Sequence, residues 1–461
     1  MQKTLLTLLL SVSFTLSSFA QRNYHQELIN LVEQGKCFEA REFRSQYADK
    51  LPSNDRTFDI FYKAHVALFF NKPDSSAIYL EDLISNHELK IGPGIGTYYG
   101  KLLTVYDSKQ QFKDAIKVCD KYIDRLKRNP FDQDQEFIRN EMTSIENTKK
   151  TLQYRDANEP RIKIKRDGSV KDKTIKMNDG DFLRFNAMYN NVTAETWFNT
   201  SATTYFMITR GLANKIGTKL INKNQDSVQT IDGVKRTARV EVIDSIDFAG
   251  LKLYNIPALV INENIMPPLP DTLKDEIKSK IEKEFKEVQI MMGLPAMKLI
   301  GRIVFDYKKR TVSFPGRAEK AETNDASNMC LCNNNLGLKL KINELNYVGH
   351  LNTGSYDFLN ISYPFYEKNK SRIEIDTITQ KKPINLYTTA GTSFNVPYEL
   401  VKNVKVSFNN RLINSNNGEV LVQGDAQHSI YEGAVGVKFF TMPNSKTLID
   451  FDNMVVKTTI K

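Results

Sequence analysis

The stretches Trp197-Phe-Asn-Thr-Ser-Ala202 and His350-Leu-Asn-Thr-Gly-Ser355 have the same layout, and this repetition decides the fold. Each is an apolar segment that runs into Asn, Thr and small residues. Two further pairs follow in the same order: Ile290-Met-Met-Gly-Leu294 with Gly433-Ala-Val-Gly-Val437, and Val304-Phe-Asp-Tyr307 with Leu448-Ile-Asp-Phe451. The three offsets are 153, 143 and 144 residues. Three ordered matches at nearly one spacing predict two homologous lobes.

Around these repeats, short segments alternate between apolar and polar residues. They lie at 161–165, 240–244, 251–253, 303–307, 338–342 and 404–408, and Gly, Asn, Asp or Pro residues bound them. A period of two predicts a mainly β region. One helix is predicted within it, beginning after Pro270 with Asp271 as its cap. We expect this insertion to pack on the outside of a sheet, with a lid as the alternative.

The preceding region, residues 21–155, has the apolar periodicity of helices. Ala40, Ala77 and Ala115 end three similar stretches and fall 37 and 38 residues apart. Such a period is typical of stacked helical hairpins, and the region resembles a short tetratricopeptide-like array. It either binds a partner or packs on its own chain. The glycine-rich run at 92–96 lacks the Lys-Ser/Thr of a phosphate loop, so we expect a turn between helices.

Residues 1–20 have the pattern of a secretory signal peptide. Lys3 precedes an apolar run at 5–14, and Ser18-Phe19-Ala20 gives a small-x-small cleavage site. An uncleaved anchor is the alternative. No later run reaches 18 apolar residues, so we expect an exported chain, periplasmic or secreted, without a membrane span.

The composition is that of a globular chain: 461 residues, 41% hydrophobic and 26% charged, with a net charge of +10. The positive charge is spread along the sequence, so we expect no nucleic-acid partner. The four cysteines are Cys37, Cys119, Cys330 and Cys332. In an exported protein either a Cys37–Cys119 disulfide or plain buried thiols would fit. Cys330-x-Cys332 is too tight for the usual zinc spacing, and we expect no metal or cofactor.

The ordered repeats resemble the aspartic-protease superfamily, in particular exported bacterial proteins with pepsin-like or retropepsin-like lobes. The resemblance covers residues 160–461 and implies lobes at 160–318 and 329–461 with a linker at 319–328. In that family each lobe supplies an Asp-Thr-Gly loop, and a later strand with two apolar residues and a Gly threads behind it. The segments at 211–217 and 292–307 are also similar to the family. The expected fold is therefore multidomain: a helical-hairpin domain followed by a bilobal, pepsin-like acid-protease β fold.

Both catalytic aspartate positions of that family are asparagine here, Asn199 and Asn352. An amide keeps the volume of a carboxyl group but has no proton to lose near neutral pH, so it cannot act as a general base. Ser201 also stands where the family has glycine. The resemblance implies a role for further residues in the paired loops, in the strands behind them and in a flap hairpin: Thr200, Ser201, Ala202, Thr353, Gly354 and Ser355; Gly293 and Gly436; Asp232 and Gly233.

Other residues near the loops are interpreted as structural. Glu195 and Asp357 are taken as surface carboxylates, and His350 as a core or groove histidine. Ser355 has no base partner that the sequence identifies. The favoured hypothesis is an inactive pseudoprotease that binds extended peptide between the lobes, with a possible protein partner on the helical domain. The alternative is an active aspartic-type peptidase, or another hydrolase, that uses the same cleft with non-standard residues.

Overall fold

The computed structural model describes most of the chain, apart from the N-terminus and several short segments. The described residues are 23–52, 54–166, 173–221, 226–229, 235–262, 265, 275–316, 327–376, 384–387, 393–396, 398–409, 411–414, 420–423 and 430–460. The predicted signal peptide and the predicted flap residues Asp232 and Gly233 lie outside them.

The N-terminal region is helical, as predicted. Its helices are α1 (Tyr24–Glu33), α2 (Cys37–Gln46), α3 (Arg56–Phe69), α4 (Pro73–Asn86), α5 (Glu88–Ile91), α6 (Gly96–Ser108), α7 (Phe112–Arg128) and α8 (Gln135–Asn158). The glycine-rich run at 92–96 forms a short 3-10 segment, Gly92–Ile95, between α5 and α6. It is a connection between helices, as expected.

Three of these helices share one packing feature near their first turn. Ala40 in α2, Ala77 in α4 and Ala115 in α7 are all buried. A methyl group at this point allows a neighbouring helix to approach closely. The helix α7 also has the strongest division into polar and apolar faces, with Phe112, Cys119 and Leu126 fully buried.

The rest of the chain is mainly β. Its first part contains β1 (Lys163–Arg166), β2 (Ile175–Lys176), β3 (Arg184–Tyr189), β4 (Val192–Phe198), β5 (Phe206–Thr209), β6 (Lys219–Leu220), β7 (Asp226–Gln229), β8 (Lys235–Phe248), β9 (Leu251–Ile261), β10 (Ile290–Met292), β11 (Arg302–Asp306) and β12 (Thr311–Ser313). The helices α9 (Arg210–Ile216), α10 (Asp275–Phe285) and α11 (Leu294–Ile300) lie among them.

The second part of the β region follows the same plan. It contains β13 (Met329–Cys332), β14 (Asn335–Ile342), β15 (Leu345–Leu351), β16 (Leu359–Ser362), β17 (Ile384–Tyr387), β18 (Ser393–Val396), β19 (Tyr398–Leu400), β20 (Lys405–Phe408), β21 (Arg411–Asn414), β22 (Val420–Gln423), β23 (Gly433–Val435), β24 (Ser445–Asp450) and β25 (Val455–Ile460). Helix α12 (Tyr363–Asn369) follows β16, as α9 follows β5. The predicted order, a helical region and then a β-rich region, is confirmed.

Two nine-stranded sheets repeat one strand order. The first sheet contains β9-β5-β10-β4-β3-β8, and the second contains β22-β16-β23-β15-β14-β20. The directions agree at each step: β10 is parallel to β4 and antiparallel to β5, and β23 is parallel to β15 and antiparallel to β16. A third sheet joins the two halves, because β11 pairs antiparallel with β24, with Val304 opposite Leu448.

The helical region packs on the second half of the β region. Asn71 Nδ2 donates to the carbonyl oxygen of Phe451 at 2.9 Å, and Arg41 Nη2 donates to that of Ser327 at 3.1 Å. The apolar cores of the two regions form one continuous cluster. Within the described part of the chain, none of the helices combines the length and the hydrophobicity needed to cross a bilayer.

Candidate functional site

The two loops predicted from the repeats lie at the ends of β4 and β15. The backbone N–H of Asn199 donates to the carbonyl oxygen of Met292 at 3.0 Å, and that of Asn352 donates to Val435 at 2.9 Å. Each Asn therefore continues the pairing of its strand with β10 or β23. Each loop then turns, since Ala202 N–H donates to Asn199 and Ser355 N–H to Asn352. The first loop is residues 199–202 and the second loop is residues 352–355.

Reciprocal threonine hydrogen bonds join the two loops. Thr200 N–H donates to Thr353 Oγ1 at 3.0 Å, and Thr353 N–H donates to Thr200 Oγ1 at 3.0 Å. Each hydroxyl also crosses to the opposite strand: Thr200 Oγ1 donates to the carbonyl oxygen of Leu351 at 2.6 Å, and Thr353 Oγ1 to that of Phe198 at 3.0 Å. Both side chains are buried. The structure thus brings the loops that carry Asn199 and Asn352 together.

The amide groups of Asn199 and Asn352 have the same orientation. Ser201 N–H donates to Asn199 Oδ1 at 3.0 Å, and Gly354 N–H donates to Asn352 Oδ1 at 2.9 Å. Because the oxygen of each amide already accepts a backbone hydrogen bond, its nitrogen is the atom that points elsewhere. Asn199 Nδ2 lies 3.2 Å from Met291 Sδ. The pair can donate hydrogen bonds, but neither side chain can take a proton from water.

The two loops differ at their third residue. A Cβ atom at Gly354 would lie 2.6 Å from Asn199 Nδ2, so the second loop approaches Asn199 more closely than a side chain would permit. Ser201 holds the corresponding position in the first loop. Its Oγ is buried and has no hydrogen-bond partner among the described residues. The loops are therefore asymmetric at the position where the family has glycine in both.

Gly293 and Gly436 lie directly behind the loops. Leu294 N–H donates to the carbonyl oxygen of Ala202 at 2.9 Å, and Val437 N–H donates to that of Ser355 at 2.8 Å. These bonds fix the outgoing end of each loop to the segment that follows β10 or β23.

An aromatic cluster fills the space beside Asn199. Trp197 lies two residues before Asn199, so a regular strand places both side chains on one face of the sheet. The rings of Phe182 and Phe285 contact Trp197 edge-on, with centroids 5.9 Å and 4.8 Å away, and Met291 completes the contact. Phe285 ends α10, the predicted insertion. The end of this helix therefore packs on the face of β4 that carries Trp197, in a cluster separate from the main core to which Ala194 and Phe198 belong.

Glu195 is an internal ion-pair partner, and its interpretation as a surface carboxylate was wrong. Its Oε1 accepts from Arg184 Nη1 at 2.8 Å, and both side chains are nearly buried. Arg184 Nη2 also lies 3.6 Å from Glu284 Oε1, on the inserted helix. Glu284 accepts further bonds from the N–H groups of Asp181 and Phe182. Because Arg184 pairs with Glu195 on β4 and with Glu284 on the inserted helix, this network anchors α10 to the sheet.

Ser355 has a carboxylate partner that the sequence did not reveal. Its Oγ donates to Asp357 Oδ2 at 2.8 Å, and Asp357 is half-buried rather than a fully exposed surface carboxylate. The spacing of two residues is a familiar local pairing within turns. The bond stabilises the second loop where it leaves Asn352.

His350 is the groove or core histidine that the sequence suggested. Its ring stacks on Tyr431, with centroids 5.7 Å apart and an interplanar angle of 12°. Burial lowers the pKa of His350 to about 4. His65, inside the helical region, has its pKa lowered to about 4 for the same reason. Both rings are therefore neutral in the folded chain near neutral pH.

These two histidines predict a loss of stability in acid. The ordinary pKa of 6.5 applies to the unfolded chain, so between pH 6.5 and 4 the unfolded state binds more protons than the folded state. Stability should fall as the pH falls through that window, by about 3 kcal/mol for each histidine. Urea unfolding at a series of pH values should show this slope. His65→Phe and His350→Phe should each flatten it, and an unchanged slope in both variants would contradict the assignment.

The strands beside the predicted flap form a hairpin. β7 pairs antiparallel with β8, and the register runs from Asp226 opposite Ala238 to Gln229 opposite Lys235. Asp232 and Gly233 fall in the connection between these strands, outside the described residues.

A large cavity lies between the helical region and the β region, and it reaches the segment that leaves the first loop, where Thr203 and Leu294 line it. Its volume is about 1380 Å³, and Tyr98, Lys101, Tyr205 and Lys298 are among its lining residues. Burial lowers the pKa of both lysines. No sequence signal pointed to this cavity, because its walls come from segments that are distant along the chain.

A family model for aspartyl proteases matches residues 185–276. The matched segment contains the first loop and strands β4 to β9, so an aspartic-protease-like domain is supported for this chain. No curated protein matches it.

One solved structure that the chain is similar to is a retropepsin-like aspartic protease from Rickettsia conorii. The two are 16% identical over 30% of this chain and 80% of that one, with a TM-score of 0.19. A likeness with this TM-score carries no argument, and the support for an aspartic-protease-like domain comes from the family match over residues 185–276.

Proposed function

We propose that this chain is an exported, bilobal aspartic-protease-fold protein that binds extended peptide between its lobes without cleaving it. The observation that carries the proposal is the pair of loops held together by Thr200 and Thr353 with Asn199 and Asn352 in the dyad positions. The hydrogen bonds of Thr200 and Thr353 hold the side chains of Asn199 and Asn352 in the positions that a catalytic pair of aspartates would occupy. The groups that would perform hydrolysis are replaced by amides.

The chemistry of the amides favours binding. Peptide hydrolysis at such a pair requires one carboxylate to accept a proton from water while a protonated partner donates to the carbonyl. The oxygen of each amide accepts from Ser201 or Gly354, which directs the N–H groups of both amides away from the loop backbone. N–H donors can hold the carbonyl oxygen of a bound peptide. They cannot activate water.

The surroundings of Asn199 also favour a non-catalytic role. Asn199 is only 8% exposed, and the aromatic cluster anchored by Trp197 and Phe285 packs beside it. These surroundings leave little room beside Asn199 for a nucleophilic water. The β7–β8 hairpin, with its main-chain groups, supports strand addition by an extended ligand as the mode of binding.

The helical region supports a second, protein-binding role in the same proposal. Its buried alanines recur in α2, α4 and α7, as in a tetratricopeptide-like array of helix pairs. One side of this array packs on the second sheet, and its remaining surface is the place for a partner.

Incubating the chain without its first 20 residues with a mixed peptide pool from pH 3 to pH 8 tests the proposal. We expect mass spectrometry to find no cleavage above the level of an Asn199→Ala/Asn352→Ala control. We expect binding to change the fluorescence of Trp197, since the sequence contains one tryptophan and it lies beside Asn199. Trp197→Phe should remove that signal.

Two outcomes would contradict the proposal. Cleavage by the natural chain that the Asn→Ala replacements abolish would favour the alternative, a peptidase with non-standard residues. An absence of any Trp197 response to the peptide pool, with the chain folded, would argue against peptide binding between the lobes.

A further inference from the structure

Three cysteine thiols meet where the helical region packs on the second sheet. Cys37 is the first residue of α2, and Cys330 and Cys332 lie two residues apart on β13. Both β13 cysteines are buried, and residues two apart on a strand face the same side. The thiols of Cys37 and Cys332 both lie against Gly35, and Cys330 and Cys332 both act on the pKa of the Cys37 thiol. Cys119 lies elsewhere, in α7. Of the two alternatives that the sequence left open, a Cys37–Cys119 disulfide or plain buried thiols, the structure has the second, with all four cysteines free and buried.

The backbone is shaped to admit this contact. Gly35 has a φ of +70°, and a Cβ atom there would lie 2.2 Å from Cys332 Sγ. Only glycine therefore allows the Cys332 sulfur to approach the turn between α1 and α2. Cys37 Sγ donates to the carbonyl oxygen of Gly35 at 3.1 Å, which directs the thiol into the same space.

Contacts on both sides of the cluster hold the helices against β13. Lys36 Nζ lies 3.4 Å from Glu432 Oε1, and Lys339 pairs with Glu42 across the same interface. Arg41 reaches the carbonyl oxygen of Ser327, just before β13. The three sulfur atoms are thus kept close by contacts that do not involve them.

The cluster does not have the arrangement of a metal site. Within the described residues, no group of three His, Cys, Asp or Glu side chains is placed to hold a metal ion. The neighbouring Cys330 thiol and burial raise the pKa of Cys37, and the neighbouring Cys37 thiol and burial raise the pKa of Cys332. Such thiols are slow nucleophiles in the folded chain, so they react when the interface opens or during folding.

We propose that Cys37 forms a disulfide with Cys330 or Cys332, covalently joining the helical region to the second sheet, and that the third thiol lets this bond move between the two β13 positions. The oxidant is a small-molecule disulfide. The Cys37 thiolate attacks it, which forms a mixed disulfide and releases one thiolate. The thiolate of Cys330 or Cys332 then attacks the Cys37 sulfur and releases the second. The two protons lost by the protein thiols pass to the two released thiolates.

Movement of the bond needs no further oxidant. In the Cys37–Cys330 form, the Cys332 thiolate attacks the Cys37 sulfur, the Cys330 thiolate leaves, and one proton changes place. The two β13 cysteines are therefore alternatives, and either one alone suffices.

The test uses the chain without its first 20 residues, incubated with oxidised glutathione in buffer and in sub-denaturing urea, then blocked with N-ethylmaleimide. After non-reducing trypsin digestion, we expect the peptide of residues 37–41 linked to that of residues 321–339, with the loss of two hydrogen atoms. Cys330→Ser and Cys332→Ser should each retain the link. Cys37→Ser and the double variant Cys330→Ser/Cys332→Ser should reduce it at least tenfold.

The matched control is Cys119→Ser, which should leave the link unchanged, because Cys119 is buried in α7 away from the cluster. Circular dichroism of each reduced variant verifies that it is folded. Recovery of Cys37 only as its maleimide or glutathione adduct in both conditions would overturn the proposal. So would a disulfide between Cys330 and Cys332 alone.

Discussion

When Asn199 and Asn352 are both replaced by aspartate, the two effects on the free energy of unfolding should not be additive, and the deviation should depend on pH. Two carboxylates at adjacent dyad positions cannot both ionise easily, so the pKa of one rises by about 2–3 units. A group whose pKa is raised in the folded state stabilises the fold at low pH and loses that contribution as the pH rises. Between about pH 4 and pH 7 the double variant should lose about 3 kcal/mol beyond the sum of the single variants.

Urea unfolding of the natural chain, both single variants and the double variant gives this coupling energy at each pH. Asn360 offers a matched control, because it is also 8% exposed but accepts its hydrogen bond from Ala434, outside the loops. The pair Asn199→Asp and Asn360→Asp should be additive at every pH. Additivity of Asn199→Asp and Asn352→Asp would mean that the two side chains do not meet.

The same double variant should also gain peptidase activity once Ser201 in the first loop is replaced by glycine. With Ser201→Gly added, both loops have glycine in third place, and one carboxylate can act as base while the other donates. We expect peptide cleavage at least about 100-fold above the natural chain, the usual contribution of general acid–base catalysis. Cleavage should be measured at a series of pH values from 5 to 7, because His65 and His350 lower the stability of the fold progressively as the pH falls below 6.5. A folded but silent triple variant would point to the aromatic cluster as the barrier.

The sequence predicted the features that depend on repeated local chemistry. The Asn-Thr pairs at 199–200 and 352–353 could be recognised because each follows an apolar strand in the same way. The hydrogen bonds between the two loops involve only backbone groups and threonine side chains. The position of Gly293 and Gly436 followed from the same repetition. These features need only the order of motifs along the chain.

Contacts between distant segments could not be predicted in the same way. Phe285 packs on Trp197 because the chain between β9 and β10 returns to the face of β4, and no local pattern encodes that path. The ion pair of Arg184 with Glu195 and Glu284 has the same origin. The four cysteines alone did not show which thiols meet, since Cys37 and β13 are separated by most of the chain.

The glycines behind the loops should be the least replaceable residues of the site. A Cβ atom at Gly293 would lie 2.1 Å from the carbonyl oxygen of Thr204, and one at Gly436 would lie 2.1 Å from that of Asp357. Both glycines have ordinary φ values, −102° and −92°, which alanine adopts readily. The cost of alanine is therefore purely steric, and the obstacle is backbone that cannot rotate away.

We expect Gly293→Ala and Gly436→Ala each to lower the free energy of unfolding by about 3 kcal/mol, the upper part of the range for overpacking. Gly211→Ala in α9 is the matched control, since a Cβ atom there meets nothing within 4 Å and alanine favours a helix by up to about 1 kcal/mol. Urea unfolding measures all three. Because the two loops are built alike, the two losses should be similar. A cost at Gly293 with none at Gly436 would show that the second strand does not thread behind its loop as the first one does.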